Sequence, residues 1–244
     1  LRLLPTPQQQ AVLVAGLPSL ERAREVADRL LGSHLEPAVL ELVTAEASPL
    51  TLVVAFAGTD ALVARSLAET RRYLGDTETH VAEAGEAGHI GDVERLLAGI
   101  ARGGAGGPGG LGIGDSARVA LRALLPLRAT WHVLEVALDA AERWGLRVEH
   151  SLGVLRGVLE IAAERPGHDR ADGDDTDLAL WAEQVCAAAA AGGGALVTEG
   201  FLHCSPILGS AWSGMGTSAA LTRALKHRFD PHQVLNPGRG FGGV

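Results

Sequence analysis

The sequence predicts an α+β fold made of two ferredoxin-like β-α-β-β-α-β units. The same order of apolar runs and helical periods appears in residues 9–83 and again in residues 116–200. The two stretches share the order of elements without residue-level identity, so the repetition concerns architecture alone. Such units can join edge to edge into one antiparallel sheet with helices on one face. The other face is then left to cover another domain or a partner subunit.

The first unit is predicted to contain four strands and two helices. Short apolar or alternating runs predict strands at residues 11–16, 38–44, 50–57 and 78–83. The first helix follows Ser19 and ends at Gly32, and the second begins after Thr59. Alternation and β-branched content in the second and third strands favour an antiparallel pair.

The second unit is predicted to repeat this order. Its predicted strands are residues 117–123, 146–151, 153–162 and 195–199, and its predicted helices are residues 127–144 and 176–191. We expect a tight hairpin turn at Leu152-Gly153 and a polar surface loop over residues 164–176. Residues 84–101 are predicted to form a crossing helix, and residues 102–115 a glycine-rich linker.

Composition excludes several classes of function. The 244 residues carry a net charge of −8, which argues against a nucleic-acid-binding groove. Because no stretch of about 18 apolar residues is free of charge, we expect no membrane span. Cys186 and Cys204 lie far apart and are predicted to be reduced thiols in a cytoplasmic protein.

The C-terminal residues carry the most specific pattern of the chain. Leu221, Leu225 and Phe229 place an apolar stripe on a predicted helix, which Pro231 prevents from continuing. Asn236-Pro237-Gly238 favours a sharp turn. We expect this turn to hold backbone N–H groups and the guanidinium of Arg239 at a fixed place. Such donors suit an anionic or electron-rich group. From spacing alone, an ordinary helix end followed by a tail is the favoured interpretation.

The pattern K-x-x-F-D-P-x-x-x-L-N-P-G-R over residues 226–239 resembles the C-terminal signature of FAD-linked oxidases of the vanillyl-alcohol oxidase type. The trailing Gly-Phe-Gly-Gly-Val is most similar to the FAD-binding subunit of bacterial glycolate oxidase. This resemblance implies an FAD-linked oxidase C-terminal domain that covers the flavin ring. It places Asn236, Pro237, Gly238 and Arg239 beside the flavin as cofactor-binding residues. The FAD itself is expected in an upstream domain outside residues 1–244.

The resemblance also implies a reaction and partners. It implies oxidation of a small 2-hydroxy acid such as glycolate, in a complex with a homologous flavin subunit and an iron–sulfur subunit. These partners are expected to keep the protein cytoplasmic or at the inner membrane surface. This part of the protein is expected to be inactive alone, and no catalytic residue is assigned.

One departure from the family pattern concerns metal binding. Family members that oxidise hydroxy acids often carry H-x-G-D-G-N-x-H on a strand, whereas this chain has His150-Ser151-Leu152-Gly153 followed by Arg156. A single histidine cannot supply the three or four ligands that a divalent metal needs. We therefore predict no metal site. This departure leaves open a non-catalytic interaction subunit, or an FAD oxidase of a different alcohol.

Overall fold

The computed structural model describes residues 7–45, 48–83, 116–169, 176–200, 212–213, 218–232 and 234. The predicted crossing helix at 84–101, the predicted linker at 102–115 and the predicted flavin-proximal residues 236–239 lie outside these ranges. The described elements are α+β, and every described strand pair is antiparallel, which confirms the predicted fold class at that level.

The chain divides into two compact units. Unit 1 comprises Leu1–Gly112 and His150–Arg156, and unit 2 comprises Ile113–Glu149 and Gly157–Val244. The predicted unit boundaries at 9–83 and 116–200 stay a prediction.

Unit 1 follows the predicted order of elements. The strands are β1 (Gln9–Gly16), β2 (Val39–Ala45), β3 (Ser48–Gly58) and β4 (Thr79–Glu83), with helices α1 (Leu20–Leu31) and α2 (Asp60–Leu74). The strand order is β4-β1-β3-β2, and residues 151–153 of β6 (Arg147–Gly153) pair with β2. The two helices contact each other, and both contact β3.

Local chemistry explains where the two helices of unit 1 begin. The Ser19 hydroxyl accepts the Arg22 N–H at 3.1 Å, and the Thr59 hydroxyl accepts the Leu62 N–H at 3.4 Å. Each hydroxyl satisfies one of the N–H groups that the first turn of a helix leaves without a partner. Gly32 caps the end of α1. These three boundaries confirm the predictions from sequence.

Strands β1, β2 and β3 of unit 1 are buried on both faces. Leu13, Leu42 and Leu52 are fully buried. They alternate along their strands with Val12, Val43 and Val53, which form a separate cluster with Ala55. Because side chains alternate between the faces of a strand, these are two different layers.

Unit 2 contains four further strands and three helices within the described residues. The strands are β5 (Ser116–Leu124), β7 (Val158–Asp169), β8 (Ala195–Gly200) and β9 (Trp212–Ser213), in the order β7-β5-β8-β9. The helices are α3 (Leu127–Arg143), α4 (Thr176–Ala191) and α5 (Ser218–Phe229). Helices α3 and α4 pack together, and the indole N–H of Trp181 donates to the Ala137 carbonyl at 2.9 Å.

Two predictions for this part of the chain were wrong. Strand β6 continues through Leu152-Gly153, and the turn lies at residues 154–157. Gly157 has the positive φ of 65° that a tight turn needs. Strand β7 extends to Asp169, so residues 164–169 are not a loop, while residues 170–175 lie outside the described ranges. Trp212-Ser213 pairs with β8 in an antiparallel arrangement.

Candidate functional site

The C-terminal segment contains the predicted site, and its helix confirms the sequence pattern. Helix α5 ends at Phe229, and Pro231 follows two residues later. Proline has no N–H to donate and disfavours helical backbone in the residue before it. The helix therefore ends where the Phe-Asp-Pro sequence predicts. The four predicted cofactor-binding residues, Asn236, Pro237, Gly238 and Arg239, are not among the described residues.

Asp230 holds the helix end to the residues that follow it. Its carboxylate is buried and lies 2.5 Å from the Lys226 ammonium. Its other oxygen accepts the Val234 N–H at 2.8 Å, and its own N–H donates to the Lys226 carbonyl at 2.8 Å. We call this arrangement the Asp230 clasp. It joins the end of α5 to Val234.

The apolar stripe of α5 is exposed. The exposed fractions are 63% for Leu221, 47% for Leu225 and 75% for Phe229. Thr222 and Lys226, which share a different side of the helix, are half-buried. The helix thus turns its polar side inward and its apolar side outward, the reverse of an ordinary surface helix.

One sheet face of unit 1 carries buried polar groups that our reading of the sequence missed. Gln10 and Glu41 have the same parity along their strands as the valines of the Val12 cluster, so they share its face. Glu41 forms an ion pair with Arg156. Gln10 is buried, and its side-chain oxygen has no hydrogen-bond partner among the described residues. A polar residue interrupting an apolar strand was the signal available in the sequence.

His150 is buried in unit 1 and bonded to Thr44. The Thr44 hydroxyl accepts the His150 backbone N–H at 3.0 Å and lies 2.8 Å from ring atom Nδ1. Which of these two atoms donates depends on the tautomer of the ring, and Nε2 is buried without a hydrogen-bond partner among the described residues. Burial lowers the pKa of His150 to about 4.

The contact with Thr44 also bears on metal binding, because it occupies one of the two ring nitrogens of His150 that could bind a metal ion. Among the described residues, no three His, Cys, Asp or Glu side chains lie close enough to hold a metal.

Arginine and glutamate side chains on β5, β6 and β7 of unit 2 form a network of ion pairs. Arg118 lies 2.9 Å from Glu149, and Arg147 lies 3.0 Å from Glu164. Arg122 and Glu160, on neighbouring strands, form another pair. The arginine charges are therefore already matched by carboxylates, which weakens their attraction for an anionic ligand.

Comparisons with known proteins show a similarity of fold to solved structures. No protein-family model matches the chain, and no curated protein matches it.

Of the described helices, none combines the length and apolar character needed to cross a bilayer.

The solved structures that match the chain include two oxidases. A 4-ethylphenol oxidase from Gulosibacter chungangensis, solved in complex with isoeugenol, matches with a TM-score of 0.60 and 13% identity. The match covers 98% of this chain and 55% of that one. A chitooligosaccharide oxidase matches with a TM-score of 0.52 and 11% identity, covering 93% of this chain and 54% of that one. The chain therefore shares the fold of a part of these oxidases that spans about half their length.

Proposed function

We propose that this chain is the covering part of a flavin-dependent oxidoreductase, in which an FAD-binding part lies elsewhere in the whole protein. The observation that carries the proposal is the fold likeness to 4-ethylphenol oxidase over 98% of the chain. The C-terminal signature supports it independently, since Lys226 and Asp230 of that signature are joined in the Asp230 clasp.

The fit of FAD to the described residues is partial. A dinucleotide pyrophosphate commonly binds N–H groups at a helix N-terminus. At α1 and α2, the hydroxyls of Ser19 and Thr59 already accept N–H groups of the first turn. We therefore propose that the dinucleotide is held by another part of the protein, and that this chain contributes a cover and a tail.

The cover would consist of two ferredoxin-like units with their helices on one face of the sheet. The order of elements in each unit and the strand order β4-β1-β3-β2 in unit 1 support this arrangement. The tail would be Asn236, Pro237, Gly238 and Arg239. The Asp230 clasp holds Val234, two residues before this tail. The backbone N–H groups of the tail and the Arg239 guanidinium would lie beside the flavin ring.

The proposed substrate is a small 2-hydroxy acid such as glycolate. A bound flavin would supply the chemistry by accepting a hydride from the carbon that bears the hydroxyl group. The chain's own part would be to exclude water and to orient the ring through the tail. The similarity of the tail to the glycolate oxidase FAD-binding subunit supports this substrate class. It also supports a complex with a homologous flavin subunit and an iron–sulfur subunit.

Replacing Arg239 tests the role of the tail. We expect Arg239→Ala in the whole flavin-containing protein to lower flavin retention or to change flavin reduction by glycolate, without loss of folding. The matched control is Arg24→Ala, which removes an exposed arginine of α1. The assays are the visible flavin spectrum and its bleaching by glycolate without oxygen. Unchanged retention and bleaching in Arg239→Ala would contradict the role of the tail.

A second candidate function is a non-catalytic interaction subunit of an oxidase complex. The environment of His150 favours it. This histidine stands where the family's metal motif would lie, yet it is buried and bonded to Thr44. A protein that binds flavin and is not bleached by any 2-hydroxy acid or other alcohol would support this candidate.

A further inference from the structure

We propose that Arg156 binds the carboxylate of a small organic acid, and that this acid is the 2-hydroxy acid substrate. The inference rests on the proposed function and names a residue that would select an acid over an uncharged alcohol. The site consists of the Arg156 guanidinium, the buried carboxylate of Glu41 and the backbone of Gly153, all within unit 1. We call it the Arg156 site.

Three features of unit 1 hold the Arg156 guanidinium in one place. The Arg156 backbone N–H donates to the Gly153 carbonyl at 3.0 Å, which closes the turn after β6. The guanidinium lies against Gly153, where an added Cβ would be 3.1 Å from Nε and 3.2 Å from Nη2. Nη2 donates to the Glu41 carboxylate, and Glu41 stands opposite Gly153 in the β2–β6 ladder. The arginine is therefore ordered by its turn, by the missing side chain at Gly153 and by Glu41.

The guanidinium keeps donors for a ligand. An arginine side chain has five N–H donors in one plane, and within the described residues only Nη2 of Arg156 makes a hydrogen bond. The N–H groups of Nε and Nη1 are left for another acceptor. A carboxylate matches such a planar group because its two oxygens can accept two parallel N–H bonds. The chemistry of the site thus favours a carboxylate ligand.

The exposure of the two charged partners determines which charge a ligand meets. The Arg156 side chain is 64% exposed, whereas the Glu41 side chain is 9% exposed. An anion that arrives from solvent therefore contacts the guanidinium first, at the short distance where the attraction is strongest. In unit 2, by comparison, Arg118 lies beside two carboxylates and is 32% exposed. Arg156 is the more accessible cation for an anionic ligand.

Stability alone does not account for the pair of Glu41 and Arg156. Glu41 lies on the face of the Val12 cluster and stands opposite the fully buried Val53 of β3. An apolar pair of similar volume is often as stable as a buried ion pair, or more stable. An exposed arginine by itself is mobile, and ordering it costs side-chain entropy. Glu41 orders the guanidinium before a ligand arrives, which lowers the cost of binding.

The test measures the binding of an acid that a flavin cannot oxidise. The carbon that bears the hydroxyl group of 2-hydroxyisobutyrate has no hydrogen, so this acid cannot lose a hydride. The corresponding diol has the same skeleton with a hydroxymethyl group in place of the carboxylate. Isothermal titration calorimetry gives the dissociation constant of each compound for the whole protein, unchanged or carrying Arg156→Met. The matched control is Arg24→Met, because the Arg24 side chain is 61% exposed and lies beside the exposed carboxylate of Asp28.

We expect 2-hydroxyisobutyrate to bind the unchanged protein and Arg24→Met equally, and to bind Arg156→Met roughly tenfold more weakly or worse, since charge-assisted hydrogen bonds are lost. We expect the diol to bind the unchanged protein at least as weakly as the acid binds Arg156→Met. Equal affinity of the acid for the unchanged protein and Arg156→Met, or no binding to the unchanged protein, would overturn the Arg156 site. Inorganic phosphate bound as tightly as the acid would overturn its assignment to a carboxylate.

A double variant separates loss of binding from loss of folding. Arg156→Met leaves the Glu41 carboxylate buried without this ion pair, which destabilises the fold. Glu41→Met combined with Arg156→Met replaces the whole pair by apolar side chains, and circular dichroism and the melting temperature report its folding. We expect the double variant to fold and to bind the acid as weakly as Arg156→Met. Full affinity for the acid in the folded double variant would overturn the Arg156 site.

The Arg156 site and the proposed function fail in different ways. A protein whose flavin is bleached by glycolate, but whose affinity for 2-hydroxyisobutyrate does not depend on Arg156, would overturn the site and keep the proposed function. A protein that binds the acid through Arg156 and contains no flavin would keep the carboxylate site and overturn the proposed function.

Discussion

At the residue scale, the buried imidazole of His150 makes stability depend on pH. Its pKa is lowered from 6.5 to about 4 by burial. The unfolded chain therefore takes up a proton between these values while the folded chain does not. The stabilising contribution is complete above about pH 6.5 and is lost as pH falls toward 4. A shift of this size corresponds to about 3 kcal/mol.

We predict that His150→Gln flattens the fall in unfolding free energy between pH 6.5 and 4. Urea denaturation at several pH values measures the unfolding free energy of the variant and of the unchanged protein. Subtracting one curve from the other removes the contribution of the carboxylates, which both proteins share. His132→Gln is the control, because the His132 side chain is 67% exposed. Equal slopes for the unchanged protein and His150→Gln would contradict the burial of His150.

A second residue-scale prediction concerns the Asp230 clasp. Asp230→Ala removes the acceptor of the Val234 N–H and the carboxylate beside Lys226. Loss of such a buried acceptor costs about 1–3 kcal/mol. We therefore expect amide hydrogen exchange at Val234 to become roughly tenfold faster or more. Arg228→Ala, an exposed change on the same helix, serves as the control. Unaltered exchange at Val234 in Asp230→Ala would show that the clasp does not hold this turn.

At the element scale, the turn between β6 and β7 shows why one sequence prediction was wrong. Gly153 follows a strand pattern and looks like a turn glycine, yet it lies within β6. The turn instead needs a glycine at position 157, because the backbone there has a positive φ and lies close to Leu125 in the folded structure. The Leu125 N–H donates to the Gly157 carbonyl at 2.7 Å. Local sequence does not reveal which of two glycines another segment will contact.

Two glycine substitutions test this explanation. A Cβ at Gly157 would overlap the Leu125 carbonyl oxygen, whereas a Cβ at Gly145 would meet no atom within 4 Å. Both glycines have positive φ, so alanine costs about 1 kcal/mol of backbone strain at either position. We expect Gly157→Ala to lower the unfolding free energy by at least about 2 kcal/mol more than Gly145→Ala, because the overlap forces backbone movement. Equal losses in chemical denaturation would contradict the close approach.

Other elements were predictable for physical reasons. Ser19 and Thr59 supply cap hydroxyls immediately before apolar helical periods, and Pro231 sets the end of α5. Strand β9 was not predictable, because two residues carry no periodicity. Similarly, the apolar stripe of α5 is visible in the sequence, but only the structure shows that it faces outward. The Asp230 clasp could not be predicted from the sequence either. Only the structure shows that the Asp230 carboxylate contacts both Lys226, before it in the chain, and Val234, after it.

At the scale of the whole molecule, the fold likeness and the C-terminal signature point to the same proposal. The chain spans about half the length of the 4-ethylphenol oxidase and the chitooligosaccharide oxidase that it matches. In this proposal the chain would form a cover, and the tail would reach the flavin ring. The balanced charges on the β5–β7 face of unit 2 are compatible with a covering surface, since they leave little net charge on it.

The measurement that tests this central claim most directly is the FAD content of the protein purified from its own cells. The visible absorption spectrum and quantification of FAD released by denaturation give the flavin content per chain. The account predicts a flavin spectrum with about one FAD for each copy of this chain, consistent with one cover for each flavin. A purified, folded protein without flavin would contradict it and would favour a protein that shares the fold without the cofactor.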